Sequence, residues 1–254
     1  IFVSGVSAQE DLTLVQEIPL KSVDGFSVDQ FDNVYIIRDS ELLKYDHKAT
    51  KLASFSDPML GDIYQVEVRN AMSPYIFDRD VNQVVVVDNR LNPKTTLNFS
   101  DFGFIDVKFI SFSDQNNVWL YEQSTDKLYR FNPQKQISTN QSVSITPIIG
   151  AENEPEGLLS TLNKVYLNVP SKGLFLFDAV GSFEEVIPIK DIKSFDIYKN
   201  LVYALIDGSL VLYNTSTATK EVLMDVGESF HSLKVSSTRV YLLSDTSLKI
   251  YKRK

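Results

Sequence analysis

A chain of 254 residues that is 43% hydrophobic and 23% charged is long enough to bury a substantial core as one domain. It has no cysteine, which excludes disulfides, thiolate metal sites and cysteine nucleophiles within it, and no lipid-modified N-terminal cysteine is expected. A net charge of -8 argues against nucleic acid and anionic membrane as partners, because both select basic surfaces.

The chain begins with an apolar, small-residue stretch, Ile1 to Ala8, that gives way to polar Gln9-Glu10-Asp11. Val6 and Ala8 are the small residues placed before a cut, so residues 1–8 resemble the tail of a secretory signal peptide. The expectation is an exported protein, in the periplasm or on the surface of a bacterium, whose residues 9–254 form a single domain. No apolar run approaches the roughly 18 residues of a membrane span, so no transmembrane segment is expected.

Leu12 to Leu20 reads as a strand with no strand before it. Its continuation matches a later stretch at a constant offset: Ile18-Pro19-Leu20-Lys21 leads to Phe26-Ser27-Val28 as Ile187-Pro188-Ile189-Lys190 leads to Phe195-Asp196-Ile197. The later copy belongs to a complete unit, Ile192 to Val226. Phe195 to Tyr198, Leu201 to Leu205, Leu210 to Tyr213 and Lys220 to Met224 are four short β-type runs, separated by Asp207-Gly208-Ser209 and other turn residues.

Such a unit recurs. A second strand with an aromatic anchor and a third strand ending in an apolar residue appear together six times, with anchors Tyr35, Tyr75, Trp119, Tyr166, Tyr203 and Tyr241. The anchors are 40, 44, 47, 37 and 38 residues apart, which matches the period of propeller blades. Runs such as Val84 to Val87 and Leu174 to Phe177 are apolar throughout, as in strands covered on both faces. The last unit stops after three strands and Leu12 to Ile18 is a spare one. The predicted fold is therefore all-β, a six-bladed β-propeller with four-stranded antiparallel blades, its ring closed by the N-terminal strand completing the last blade.

These valine-aromatic strands and aromatic-aspartate strand ends resemble the bacterial six-bladed propellers of the NHL and YVTN type, over Leu12 to Lys254. The chain departs from the WD-repeat pattern, since its one tryptophan, Trp119, lacks the expected neighbours, and from kelch repeats, since it lacks their paired glycines.

The turns that gather over a propeller's channel hold Arg38-Asp39, Arg79-Asp80, Glu122 with Asp126, Asp207 and Asp245, and the inter-blade loops hold Asp62, Asp106, Glu156 and Glu228. Asp62, Asp106, Glu156 and Asp207 are the candidate ligands for calcium, which takes six to eight oxygens. That alternative would make the protein a calcium-dependent hydrolase or lactonase, similar in fold to gluconolactonase and paraoxonase propellers, although their metal motifs have no matching run here. Aspartate is also a favoured turn residue in its own right. His231 precedes an innermost strand with no partner fixed by spacing, and His47 lies in a polar turn. Asn98, Asn140 and Asn214 head glycosylation-like tripeptides that read as turns.

Two inter-blade loops are apolar where loops are usually polar, Met59-Leu60 and Phe102-Gly103-Phe104. Met59, Leu60, Phe102 and Phe104 either fold inward or contact a protein partner. With no catalytic constellation in view, the expectation is a non-enzymatic interaction scaffold without a cofactor, a peripheral subunit of an envelope assembly or secretion complex. A sugar- or peptide-binding propeller is a further alternative.

Overall fold

The computed structural model describes residues 11–58, 60–114 and 116–253, so the expectation for residues 1–8 and the placement of Met59 lie outside the described residues. Within them, six four-stranded antiparallel sheets stand in a ring. Blade 1 is Gly25–Val28, Val34–Arg38, Glu41–Tyr45 and Lys51–Ser56; blade 2 is Gln65–Glu67, Tyr75–Asp78, Gln83–Val87 and Pro93–Asn98. Blade 3 is Val107–Phe112, Val118–Glu122, Lys127–Asn132 and Ile137–Gln141; blade 4 is Gly157–Ser160, Lys164–Val169, Gly173–Asp178 and Phe183–Ile187. Blade 5 is Ser194–Tyr198, Leu201–Ile206, Ser209–Asn214 and Thr219–Asp225.

Blade 6 takes Phe230–Val235, Arg239–Ser244 and Ser247–Arg253 from the end of the chain and its outermost strand, Leu12–Pro19, from the beginning. The closing pair is antiparallel and runs from Leu12 opposite Arg253 to Pro19 opposite Ser247, with an irregularity between Leu14 and Gln16. The spare strand and the unfinished blade thus complete each other, as the repeat pattern predicts.

A blade is apolar on both faces and packs against a neighbour on each side. Six buried clusters result, one at each inter-blade interface. Tyr35, Leu42 and Phe55 of blade 1 meet Val66, Ile76 and Val85 of blade 2 in one of them. Tyr241, Leu248 and Ile250 of blade 6 meet Phe26, Val34 and Leu43 of blade 1 in another, which also takes in Ile18 and Leu20 of the closing segment. The second strand carries the anchor because it is sandwiched most completely, and Tyr35, Tyr203 and Tyr241 are fully buried. Buried hydroxyls need partners, and Tyr35 and Tyr241 donate to Asp29 Oδ2 and Asp32 Oδ1 in the first turn of blade 1, at 3.0 and 2.9 Å.

The innermost strands leave an unpaired edge toward the axis, where stray backbone donors would be costly. Side chains of neighbouring blades satisfy several of them. Glu67 Oε2 accepts from Phe112 N at 3.1 Å, Ser111 Oγ from Ser160 N at 2.8 Å, and Asp196 Oδ2 from Val235 N at 2.8 Å. These polar residues hold one blade to the next.

Two faces follow from the strand order. The loops from each outermost strand to the next innermost strand share one face, here the top, with the turns between second and third strands; the remaining turns form the bottom face. The top loops carry fifteen acidic and five basic residues, the bottom loops five of each. Four of the five bottom carboxylates, those of Asp29, Asp46, Asp88 and Asp114, accept backbone hydrogen bonds within their own turns. The fifth, Asp32, faces Arg239 and Tyr241 of blade 6.

Candidate functional site

The loops from outermost to innermost strands all send apolar side chains down between the blades. Leu60 and Ile63 enter the interface of blades 1 and 2, Phe99 and Phe104 that of blades 2 and 3, and Ile145 and Ile149 that of blades 3 and 4. Ile189 and Ile192 do the same between blades 4 and 5. This corrects the placement of Leu60 and Phe104 as partner contacts, because they are 6% and 5% exposed and belong to the core. Phe102 lies against Phe131, its ring centroid 5.1 Å away, and joins the same cluster from its edge. The chain reverses at Gly103, whose φ of +83° suits glycine, and Phe104 returns under the loop. What this loop does show to solvent is the next residue, Ile105, 71% exposed. Val81, 47% exposed, stands in the neighbouring turn, tied to Ile105 through Asn82, whose Nδ2 donates to the Ile105 carbonyl at 3.2 Å.

The four candidate calcium ligands are not brought together. Asp106 and Glu156 line a large cavity on the top face, Asp62 lines a smaller one of about 360 Å³, and Asp207 lines neither. Among the described residues no three His, Asp or Glu side chains are grouped so as to hold an ion. The reason is radial: each aspartate follows its own blade, and the ring keeps corresponding loops apart.

The large cavity, about 900 Å³, opens between blades 2, 3 and 4. Its aromatic lining is a row of rings: Tyr64 to Phe109 is 6.4 Å between centroids, and Phe109 to Tyr121 is 6.4 Å at 18°, nearly parallel. Five carboxylates and two cations complete the lining. Lys108 pairs with Asp106 at 3.0 Å, and the Arg79 guanidinium lies 3.9 Å from the centroid of the Tyr64 ring, on the ridge shared with the smaller cavity. Asp126 is structural, since its Oδ2 accepts from Ser144 Oγ and from Thr146 N at 2.8 Å and so pins the longest loop. Among the described residues the carboxylates of Asp80, Glu154 and Glu156 have no hydrogen-bond or ion-pair partner.

The cavity continues into the mouth of the channel, about 270 Å³, through Tyr64, Phe109 and Glu156. There Asn168, 3% exposed, donates Nδ2 to the Ile192 carbonyl at 3.1 Å while its Oδ1 has no hydrogen-bond partner among the described residues. Sequence reasoning missed Asn168, whose one signal was a polar residue inside the apolar run Val165 to Val169.

Two acids at second-strand ends also prove structural. Asp78 accepts from Gly61 N at 2.8 Å, and buried Glu122 accepts from Asp106 N at 3.0 Å and from Ser124 and Thr125. Burial alone would raise the Glu122 pKa, but these donors outweigh it and hold the carboxyl below the ordinary glutamate range. His231 Nε2 lies 3.3 Å from Asp245 Oδ1 across blade 6, a proximity that spacing did not reveal, without a hydrogen bond between them. Asn98 and Asn214 cap turns, accepting from Ser100 N and Ser216 N, whereas Asn140 sits in a strand.

No protein-family model matches the chain, and no curated protein does. Solved structures do. The WD40 domain of Neurospora crassa Pan2 superposes with a TM-score of 0.69 over 95% of each chain at 7% identity. BamB from Moraxella catarrhalis superposes with a TM-score of 0.58 over 95% of this chain and 97% of its own, at 12% identity. At such identities the likeness is one of fold.

Proposed function

We propose that this protein is a non-enzymatic interaction scaffold that presents its top face to a protein partner, as an exported, peripheral subunit of a bacterial envelope assembly. The observation that carries the reading is the open, acidic cavity bordered by Val81 and Ile105, two exposed apolar residues in adjacent loops with no fold-level reason to be there. Of the carboxylates in and beside it, Glu122 and Asp126 are tied into loop-holding hydrogen bonds. Support for export comes from the signal-like stretch Ile1 to Ala8, and for a bacterial source from the resemblance of the blades to NHL and YVTN propellers. Among the described residues no helix is long and apolar enough to cross a membrane, which suits a peripheral subunit.

The test is a Val81→Asp, Ile105→Asp double variant. Both side chains point into solvent, so the melting temperature should stay within a few degrees of wild type. Co-purification of envelope partners from the native host should be lost. Unchanged co-purification would remove the top face as the docking surface, and calcium-dependent turnover of lactone or ester substrates would replace the scaffold reading altogether.

A further inference from the structure

We infer that the seam between blades 6 and 1 is a binding groove for a long-chain carboxylate, a free fatty acid that lays its alkyl chain in the groove with its head at Lys21 and Arg38. The cavity there is about 540 Å³, within the range of small-molecule sites. Its floor is apolar. Val34 and Ile36, on one face of a blade 1 strand, meet Leu248 and Ile250 of blade 6, and Ile18 and Leu20 of the closing segment form a wall. The site is independent of the scaffold reading, which concerns the cavity between blades 2, 3 and 4.

The ring supplies its own comparison. The seam between blades 4 and 5 is built from the same repeat positions, since Ile187 stands opposite Leu174 as Ile18 stands opposite Leu248. There Ile187 and Ile189 are 3% and 1% exposed, whereas their counterparts Ile18 and Leu20 are only partly buried. The top end differs in kind. Counted from the anchors Tyr203 and Tyr35, Arg38 takes the place of Ile206, which joins the apolar cluster of its own seam. One seam is thus closed by apolar side chains, and the other is left open with a guanidinium at its end.

The lining selects the ligand. Among the described residues Arg38 donates only its Nε, to the Ser22 carbonyl at 3.2 Å, and Lys21 has no hydrogen-bond or ion-pair partner, so both keep donors for an anionic head. The one carboxylate in the lining, Asp46, lies at the bottom end beside His47 and accepts from Lys48 N and Thr50 N of its own turn. It leaves the top end cationic. An extended peptide would lay backbone N–H and C=O groups on a floor that offers them no partners, a cost that an alkyl chain avoids.

Displacement of cis-parinaric acid, a fluorescent fatty acid, tests this on the full chain. Palmitate should displace the probe, and hexadecanol, of equal chain length without the charge, about tenfold less well. Octanoate should be about a hundredfold weaker or worse, because each buried methylene adds to affinity. Lys21→Gln with Arg38→Gln should weaken palmitate about tenfold and leave hexadecanol unchanged. Ile18→Trp, which fills the groove from a strand position where an aromatic is tolerated, should abolish probe binding while the melting temperature holds. Equal displacement by palmitate and hexadecanol would overturn the anionic head, and with it the fatty acid. Unchanged probe binding by Ile18→Trp would put the chain elsewhere and overturn the groove. Should that variant fail to fold, the Lys21 and Arg38 variant, altered outside the core, decides: palmitate undiminished there overturns the proposal. Three other occupants have their own signatures. Probe binding only by a chain that starts at Asp11 would assign the groove to residues 1–10, and a dimer lost in Ile18→Trp would assign it to a second copy. Recruitment to phosphatidylglycerol vesicles that palmitate does not reverse would assign it to a lipid surface. Each of these, like a failure of palmitate to displace the probe, overturns the free fatty acid, whereas the scaffold reading falls only with the partner capture described above.

Discussion

Phe104 and Ile105 are adjacent in the chain, and one is core while the other is surface. Truncating the first, Phe104→Ala, removes a ring packed edge-on against Phe99 and Phe131 and should cost about 3 kcal/mol or more in urea unfolding. Ile105→Ala should leave the midpoint unchanged. Glu122 gives a pH signature. Its folded pKa lies below its unfolded value, so its contribution is present above the unfolded pKa and lost as pH falls through the folded one. Stability of the wild type should therefore fall more steeply than that of Glu122→Gln below about pH 4, the ordinary glutamate range. Parallel acid limbs for the two proteins would show that Glu122 has no such role. Neither distinction was legible in the sequence: loops lack the period that sorts strand residues into faces, so Phe102-Gly103-Phe104 reads the same whether it points in or out, and the donors around Glu122 come both from its own turn, Ser124 and Thr125, and from Asp106 in a loop sixteen residues back, with no spacing to mark them.

Strands were a different matter, because burial on both faces writes itself into continuous apolar runs and the anchors recur at blade spacing. The constant offset between Ile18-Pro19-Leu20 and Ile187-Pro188-Ile189 anticipated equivalent places in the ring, and Leu20 and Ile189 do both enter inter-blade clusters. Deleting Leu12 to Ile18 should lower the melting temperature by many degrees, since it strips the edge of blade 6 and uncovers Ile250 and Tyr251. An unchanged thermal transition would contradict the shared blade. Gly173 marks a second sensitive point. Its φ is +133° and a Cβ there would lie 2.2 Å from the Ile187 carbonyl oxygen, so Gly173→Ala should destabilise blade 4 although it only adds a methyl group. A melting temperature equal to wild type would show that the outermost strand shifts freely.

On the scale of the whole ring, charge is distributed by face: acid accumulates in the top loops while the bottom loops are balanced. Composition disclosed the excess but not its location, which depends on knowing which loops share a side. Binding at the top face should weaken as salt rises from 50 to 500 mM, because exposed charges are screened beyond a few ångströms at the upper value. Salt-independent affinity would mean that the acidic loops serve solubility alone. Millimolar calcium should leave the melting temperature unaltered, since a ligand stabilises only in proportion to its occupancy of the folded state. A rise of several degrees that Glu156→Gln abolishes would restore the calcium-dependent hydrolase as the better account.

The closing strand also decides how the ring responds to force. Leu12 begins that strand and Arg253 ends its partner, and the two lie opposite one another on the same side of the disc. Tension applied across them does not shear the seven paired positions together; it peels them apart one after another, as a zip opens from its tab. A ring held by six interlocked interfaces therefore has a mechanical weak point at a single seam, and pulling from these two residues should open it at far lower force than pulling from any pair of points that loads a seam lengthwise.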